Sequence, residues 1–424
     1  MQSVAIIGTG ISGLGSAYML QEKYNVTIYE KNDYIGGHTR TVDIKTKEGT
    51  VAVDTGFIVF NHNTYPNLTA LFNQLGVNTN ESLMSFGVSV NNGWLEYGSQ
   101  TLANVFAQKK NLLSLKYLKF IKDIFTFNNY SQQLIASNTI NPTMTLSEYL
   151  QQLKVGKWFI DYYILAMGAA IWSSPVEKMH AFPAESFIRF FNNHGLLATS
   201  GQPQWHTVDG GSKAYIDKIL DNLKANIKLN SAVSKVERVQ GKVKITDNNG
   251  DIGTYDHVVF ASHSDQTLSM LSDATESESD ILNKIKYQKN RMVLHSDESF
   301  MPKNKKAWSS WIYLSENKKD ESETIALSYW MNNLQKLDTK QSMIVTLNPS
   351  REPSLSLKHD EYIFDHPVFD GEAIEAQKRL PEIQGEQNTW FAGAYWSYGF
   401  HEDGLNSAIN VAKGLGVNPS WLPQ

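Results

Sequence analysis

The hydrophobic and polar positions at the start of the chain follow a strand, helix, strand order. The run VAII at residues 4–7 is continuously apolar and predicts a buried strand. Residues 14–20 have helical character, and VTIY at residues 26–29 predicts a second strand. We therefore expect an α/β domain that begins within the first residues of the chain.

The turn between the first strand and the helix has the spacing of a nucleotide-binding loop. Gly8, Gly10 and Gly13 form a G-x-G-x-x-G pattern, and Glu30 follows 20 residues after Gly10 at the end of the second strand. Such glycines allow a tight turn, the approach of a pyrophosphate to the helix N-terminus, and close helix–strand packing. The acid can bind an adenosine ribose and repels a 2′-phosphate, which argues against an NADP-type nucleotide.

A second glycine segment follows the acid within a few residues. Gly36 and Gly37 can bring another stretch of backbone to the same diphosphate, and they are followed by His38, Thr39 and Arg40. Arg40 is the predicted charged contact to the phosphate, because a guanidinium forms strong charge-assisted hydrogen bonds. His38 is predicted either to contact the cofactor or to occupy a solvent-facing turn.

Further strand patterns occur in separated parts of the chain. VAVDTG at residues 51–56 alternates and ends at a glycine, and residues 233–246 contain two short alternating runs. DNNG at residues 247–250 predicts a hairpin turn. YDHVVFA at residues 255–261 and TWFAG at residues 389–393 predict buried strands. A helix is expected after the last strand, from about residue 405 to residue 413.

These motifs together resemble the flavin-containing amine oxidase, phytoene desaturase and protoporphyrinogen oxidase superfamily. Its members carry a Gly-Gly motif beyond the ribose acid, usually followed by Arg, where this chain has His38. The runs DTGFIVFNHNTYPNL, MSFGVSV, AIWSSP and FHEDG look most like a bacterial group of NAD- or FAD-binding oxidoreductases. That group is associated with cyclopropane-fatty-acid-synthase-like methyltransferases. The resemblance therefore implies a fatty-acyl or other lipid substrate and a methyltransferase as a functional partner.

The resemblance also implies an α/β fold, α+β overall, with two domains. A Rossmann-like FAD-binding domain would be built from the discontinuous segments 1–75, 200–270 and 385–424. A substrate domain of mixed sheet and helices would comprise 76–199 and 271–384. A chain of 424 residues is also too long for one compact core.

An FAD cofactor held by distant parts of the chain follows from the same resemblance. The segment around Gly56 would pass the isoalloxazine ring, Val233 would contact the adenine, and the terminal helix would direct N–H groups at the pyrimidine edge. The predicted cofactor-binding residues are Gly8, Gly10, Ile11, Ser12, Gly13, Glu30, Lys31, Gly36, Gly37, His38, Thr39, Arg40, Thr55, Gly56, Phe57, Val233, Gly393, Glu402, Asp403 and Gly404.

The predicted catalytic residues are His401, Trp396 and Tyr398, and their roles stay open. His401 is either a proton acceptor or a helix-start residue that touches cofactor or solvent. Trp396 and Tyr398 are expected to flank the substrate, unless one of them belongs to the core. Glu402 or Asp403 is expected either to bind the ribityl hydroxyls or to cap the helix.

Composition and charge exclude several classes of protein. The chain has no cysteine, which excludes disulfides, thiolate catalysis and cysteine-ligated clusters. Its net charge of −5 argues against general nucleic-acid binding. No metal motif, signal peptide or long apolar run is present, so we expect the protein in the cytoplasm or on a membrane surface.

Two aromatic regions bear on the substrate. Residues 111–128 predict a helix with lysines at 116, 119 and 122, which either lies in a membrane interface or covers the substrate domain. Residues 308–313 and 327–330 alternate like paired strands, and in the resembled family such a sheet forms the floor of the substrate cavity.

Three hypotheses for the function follow. The first is an FAD-dependent oxidoreductase that desaturates an apolar acyl chain, or moves a double bond in it, by hydride transfer to flavin N5. The second is a flavin amine oxidase, and the third is a non-catalytic flavin-binding partner of a lipid methyltransferase. The aromatic segments lack an obvious anchor for a cationic substrate, which favours the first.

Overall fold

The structure of the protein, a computed structural model, describes residues 1–141, 143–172, 176–198, 201–317 and 323–422. Residues 173–175, which end the run AIWSSP, lie outside the described residues. The strands are β1 Ser3–Ile7, β2 Asn25–Tyr29, β3 Thr41–Lys45, β4 Thr50–Asp54, β5 Phe60–Asn61, β6 Thr79–Ser82, β7 Phe86–Val90, β8 Leu95–Gly98, β9 Trp205–Val208, β10 Asn226–Lys228, β11 Val233–Val239, β12 Lys242–Asp247, β13 Ile252–Tyr255, β14 His257–Phe260, β15 Lys286–His295, β16 Trp311–Asn317, β17 Glu323–Trp330, β18 Ile344–Leu347, β19 Lys358–Val368 and β20 Thr389–Phe391.

The α-helices are α1 Ile11–Leu20, α2 Pro66–Leu75, α3 Leu102–Val105, α4 Leu115–Ser137, α5 Leu146–Leu153, α6 Lys157–Phe159, α7 Leu165–Trp172, α8 Val176–Met179, α9 Ala184–Asn193, α10 Lys213–Asp221, α11 Ser264–Met270, α12 Glu276–Lys284, α13 Met331–Gln335, α14 Gly371–Arg379 and α15 His401–Gly414. Short 3-10 segments include Lys109–Leu113 and Ala394–Trp396, and Ile160–Ile164 forms one π-helical turn.

A five-stranded parallel sheet with the order β10-β2-β1-β14-β20 is built from separated parts of the chain. Its two faces are both buried, as the continuously apolar strands require. One face packs on α1, α2, α10 and α15. The other packs on the antiparallel sheet β11-β12-β13 and on α12 and α14. The strands at residues 3–7, 25–29, 233–239, 242–247, 257–260 and 389–391 confirm the sequence predictions.

A second, mixed sheet has seven strands in the order β19-β15-β18-β17-β16-β7-β8. The aromatic strands β16 and β17 pair antiparallel, with Trp311 opposite Tyr329, as their alternation predicted. One large apolar core joins this sheet to residues of α4, α5, α7 and α9. The predicted fold class, a Rossmann-like domain from discontinuous segments with a mixed sheet-and-helix partner, is confirmed. The exact domain boundaries stay a prediction.

The predicted helix at residues 111–128 forms as α4, but it begins at Leu115 and extends to Ser137. Tyr117, Phe120 and Phe127 are buried against the large core, so the helix covers this region. Across the described ranges, none of the helices has both the length and the apolar character needed to cross a bilayer.

Candidate functional site

The first strand, turn and helix leave an open cradle at the N-terminus of α1. A Cβ atom at Gly10 would have no atom within 4 Å. A Cβ atom at Gly37 would lie 3.0 Å from Cα of Gly10, so the two glycine segments meet as predicted. The first turn of α1 has neither an acid nor a side-chain cap, which leaves its N–H groups for an anion. These features fit the diphosphate of a dinucleotide.

Close packing explains the other two glycines of the loop. Gly8 has a φ of +108°, and its N–H donates to the carbonyl of Tyr29 at 2.8 Å. A Cβ atom at Gly13 would lie 2.0 Å from the oxygen of Gly8, inside contact distance. Only glycine at position 13 therefore lets α1 approach β1 this closely.

Glu30 is buried at the carboxyl end of β2, beside the cradle. Its carboxylate accepts hydrogen bonds from Thr9 N at 3.1 Å and Thr9 Oγ1 at 2.5 Å, and from Asn32 N at 2.9 Å. A carboxylate has about four acceptor sites, so capacity remains for a ribose hydroxyl. Ser231 N donates to the Glu30 carbonyl at 2.8 Å, which brings the start of β11 at Val233 to the same strand end. The predicted adenine and ribose contacts are thus neighbours.

The segment after Gly37 packs against the strand that ends at Asp54. A Cβ atom at Gly56 would lie 2.0 Å from the His38 carbonyl, which accepts a hydrogen bond from Phe57 N at 2.9 Å. Arg40, the predicted phosphate contact, forms a bidentate ion pair with Asp360 at 2.5 and 3.2 Å and lies 3.3 Å from Thr55 Oγ1. Sequence reasoning could not find Asp360, because it is 320 residues away. The guanidinium is therefore already paired in this structure.

The C-terminal unit contacts the cradle directly. Ser12 Oγ donates to the Gly404 carbonyl at 3.0 Å, and a Cβ atom at Gly404 would lie 2.9 Å from Ile11 Cγ2. Ser407 Oγ accepts a hydrogen bond from Gly393 N at 2.8 Å. Residues from the two ends of the chain thus form one structure around the N-terminus of α1.

Helix α15 begins at His401, four residues before the predicted start, because Asp403 caps it. Asp403 Oδ2 accepts a hydrogen bond from Phe400 N at 2.9 Å. Glu402 accepts hydrogen bonds from Asn67 N at 2.8 Å and Leu68 N at 2.9 Å, so it caps α2 instead. Burial raises the pKa of Asp403 to about 6 and also raises the pKa of Glu402. Both carboxylates are thus engaged in helix capping.

His401 is held by an aromatic and hydroxyl cluster. Its ring stacks on Phe57 at 3.8 Å and 8°. Its Nε2 lies 2.7 Å from the Tyr215 hydroxyl and 3.1 Å from Thr39 Oγ1, and these two oxygens are 2.6 Å apart. Burial, and then the influence of His38, lower the pKa of His401 to about 3, so the imidazole is neutral at physiological pH. Tyr215 lies on α10, just after the Gly210-Gly211 turn, and sequence reasoning did not identify it.

His38 belongs to a second group of rings rather than to a solvent-facing turn. It lies 5.3 Å from His366 and 4.8 Å from Phe364 between ring centroids, and His263 is 6.5 Å away. Burial lowers the pKa of His38 to about 4 and that of His366 to about 3. Burial, and then the charge of exposed Lys31, lower the pKa of His263 to about 4. Within the described ranges, no group of three or more metal-ligating residues is arranged to bind a metal ion.

Trp396 and Tyr398, the two aromatic residues predicted to be catalytic, pack against different hydrophobic cores. Trp396 packs against the core that joins the parallel sheet to the three-stranded sheet. Tyr398 packs against the large core of the mixed sheet, and its ring lies 6.0 Å from Phe190. Only Tyr398 therefore lies on the side of the mixed sheet, where a substrate region was expected.

A cavity of about 240 Å³ lies between helices α7 and α8 and the end of β19. Its apolar lining includes Trp172, Phe182 and Phe369, and its polar lining includes His366. His366 neighbours His38, and Phe369 lies 2.9 Å from where a Cβ atom of Gly399 would be placed. The cavity therefore adjoins both the second glycine segment and the C-terminal unit.

The comparisons with known proteins agree with this geometry. The model of the family described as flavin containing amine oxidoreductase matches residues 11–346. The 1-hydroxycarotenoid 3,4-desaturase of Flavobacterium sp. (strain P99-3) is 30% identical over 168 residues. That alignment covers 36% of this chain and 33% of the desaturase, so it spans about a third of that protein's length.

Solved structures share the fold over nearly the whole chain. A CLA-producing fatty acid isomerase from P. acnes superposes with a TM-score of 0.70 at 15% identity, covering 98% of this chain and 99% of the isomerase. Cyclohexylamine oxidase from Brevibacterium oxydans superposes with a TM-score of 0.66 at 15% identity, covering 98% and 99%. At such identities the likeness concerns the fold alone.

Proposed function

Because the chain belongs to the flavin-containing amine oxidoreductase family, and is thereby an FAD-dependent oxidoreductase, we propose that it acts on the carbon chain of a fatty-acyl substrate. The reaction would be a desaturation or the migration of a double bond. When bound, FAD would supply the hydride acceptor for the oxidation of a substrate C–H bond. The chain's own residues bind the cofactor, orient the acyl chain and exclude water.

The cofactor would be held by the groups that surround the N-terminus of α1. The free N–H groups after Gly10 and the backbone at Gly37 would hold the diphosphate. Glu30 would bind the adenosine ribose through its remaining acceptor capacity. Arg40 is left out of this set, because its guanidinium is paired with Asp360.

The aromatic cavity is the observation that supports an acyl chain most strongly. Trp172, Phe182 and Phe369 supply apolar walls that favour a hydrocarbon and exclude water. The lowered pKa of His366, about 3, keeps its imidazole uncharged at physiological pH. Aromatic walls and an uncharged imidazole suit oxidation at a C–H bond that carries no charge.

The charged groups of the cavity favour a carboxylate over an amine. Lys178 contributes a positive charge to its lining, which attracts a fatty-acid carboxylate and repels an ammonium group. The carboxylate of Asp370 also lines the cavity, but it accepts a hydrogen bond from Ala373 N at 2.9 Å and caps α14. Asp370 is the one acid among these lining residues, and it serves as the N-cap of α14.

His401 is proposed as a positioning residue rather than a proton acceptor. A general base works best with a pKa near the operating pH, whereas burial lowers that of His401 to about 3. Its stacking on Phe57 and its contacts with Tyr215 and Thr39 instead fix the first residue of α15 beside the second glycine segment.

Anaerobic reduction of the purified holoprotein tests the proposal. Free unsaturated fatty acids, phospholipids, putrescine and cyclohexylamine are added separately, and the visible flavin absorbance is followed. Isomerisation would leave the flavin oxidised at the end of the cycle, so chromatography of the recovered lipid is used to detect a shifted double bond. We expect reduction or isomerisation with the fatty acids only. Reduction by the amines alone would contradict the proposal.

One variant and its control test whether a fatty acid binds in the cavity. Lys178→Ala is expected to raise KM for a free fatty acid about tenfold and to leave the KM of its methyl ester unchanged, because the ester lacks the negative charge. Lys47→Ala, at an exposed hairpin, is the matched control. An equal effect of Lys178→Ala on acid and ester would exclude the proposed carboxylate contact.

A further inference from the structure

An exposed face around the start of α4 combines apolar and positively charged side chains. We call the exposed side chains among residues 109–125 the leucine–lysine face. Leu113 is 91% exposed, Leu115 is 82% exposed, and Leu112 and Leu118 are about half exposed. Single exposed leucines are ordinary on protein surfaces, but a contiguous group of them marks an interaction site.

Helix α4 is apolar on two opposite sides. Tyr117, Phe120 and Phe127 face the core and are buried. Leu115, Leu118 and Phe125 recur at helical spacing on the other side and are exposed. A helix that only covers a core has a polar outer side, so the burial of one side leaves the outer leucines unexplained.

The charge of this region has one sign. From residue 101 to residue 122 the chain has five lysines and no acid, although the whole chain has a net charge of −5. The nearest acid, Asp123, is buried and accepts hydrogen bonds from Lys119 at 2.9 Å. Asn104 Nδ2 donates to the Lys306 carbonyl at 2.7 Å, which places a further basic segment beside the same surface.

We propose that the leucine–lysine face docks on an anionic lipid bilayer. Leu113 and Leu115, the most exposed leucines and here called the tip of the face, enter the boundary between head groups and acyl chains. The lysines of the face bind lipid phosphates. Exposed Trp94 lies beside this tip, since its carbonyl accepts a hydrogen bond from Lys110 at 2.9 Å, and Trp side chains are favoured at such interfaces. Two copies of this chain could not pair through this face without bringing like charges together. The proposal is independent of the substrate assigned above.

Vesicle co-sedimentation of the full-length holoprotein tests the proposal. The probes are phosphatidylcholine vesicles with and without phosphatidylglycerol, at low and high salt. The variants are Leu113→Glu/Leu115→Glu and Lys109→Glu/Lys110→Glu. The matched controls are Ile252→Glu, an exposed apolar residue of β13, and Lys45→Glu/Lys47→Glu in the hairpin between β3 and β4.

We expect the wild type and both controls to bind anionic vesicles, to release them at high salt and not to bind neutral ones. Each variant of the leucine–lysine face should lower the partition coefficient at least about tenfold. Retained flavin absorbance and an unchanged Tm show that the variants are folded. Equal binding by wild type and variants, or no binding at all, would overturn the proposal. So would a lipid-free dimer that Leu113→Glu/Leu115→Glu converts to a monomer.

Discussion

The first and the last described helices lie side by side, yet their N-termini differ in charge. Helix α1 begins after Gly10 with no acid in its first turn and no side-chain cap. Helix α15 has Glu402 and Asp403 in its first turn, and Asp403 binds the N–H of Phe400. A diphosphate can therefore bind at α1, whereas the acids of α15 would repel it.

The comparison separates two uses of glycine that look alike in sequence. Gly10 faces open space, where a side chain would take the volume of a ligand. Gly404 faces Ile11 and Ser12, where a side chain would push the two helices apart. One glycine leaves room for the cofactor, and the other lets α15 support the helix that binds it.

Gly404→Val should have the largest effect on stability. The added side chain meets Ile11 Cγ2 and Ser12 Oγ at about 2.9 Å already at its Cβ atom. Overpacking of this kind lowers the free energy of unfolding by ~3 kcal/mol, which urea unfolding of the apoprotein measures. Gly371→Val is the control, because its Cβ atom would have no neighbour within 4 Å. Equal stability of the two variants would mean that Gly404 is not a packing residue.

Asp403→Asn should have a smaller, pH-dependent effect. Burial raises the pKa of Asp403 from 3.8 to about 6, so the folded state holds the proton more tightly than the unfolded state. This contribution to stability falls as pH rises between the two values and then stays constant. Asn can still cap the helix, and the variant should therefore gain up to ~2 kcal/mol over wild type above the raised pKa.

Urea unfolding as a function of pH measures this difference. The gain should vanish at the ordinary pKa of Asp, 3.8. Asp370→Asn replaces an exposed helix cap and is the control. A gain for Asp403→Asn that is independent of pH would show that the carboxylate is not responsible.

Ser12→Ala should have the smallest effect. It removes the hydrogen bond from Ser12 Oγ to the Gly404 carbonyl, which joins the two helices. We expect the apoprotein to lose ~1 kcal/mol of unfolding free energy. Flavin affinity, measured by fluorescence titration, should change little, because the hydroxyl serves the helix contact. A large loss of flavin affinity at unchanged stability would instead make Ser12 a direct cofactor contact.

The sequence predicted the parts of the site that depend on local geometry. The spacing of Gly8, Gly10 and Gly13 is set by one strand, one turn and one helix, and Glu30 ends the adjacent strand. These residues could be placed without knowing the rest of the chain. The resemblance implied that separated segments form one domain, but the order of the five parallel strands was not predicted, because these strands are far apart in sequence.

The contacts that sequence reasoning missed are made across long distances. Arg40 looked like a phosphate contact, but β19 places Asp360 beside it. Tyr215 is brought to His401 by packing of α10 near α15, and no local pattern reveals this. The roles of charged and polar side chains therefore depended on partners that only the fold supplies.

The flavin content of Gly10→Val tests the central claim most directly. The φ of Gly10 is −64°, which valine adopts without strain, so the variant should fold with the Tm of the wild-type apoprotein. Its side chain would fill the cradle at the start of α1, so the purified variant should contain no FAD, while wild type and Gly371→Val each contain one FAD per chain. A folded Gly10→Val protein that keeps its full complement of FAD would show that the cofactor binds elsewhere.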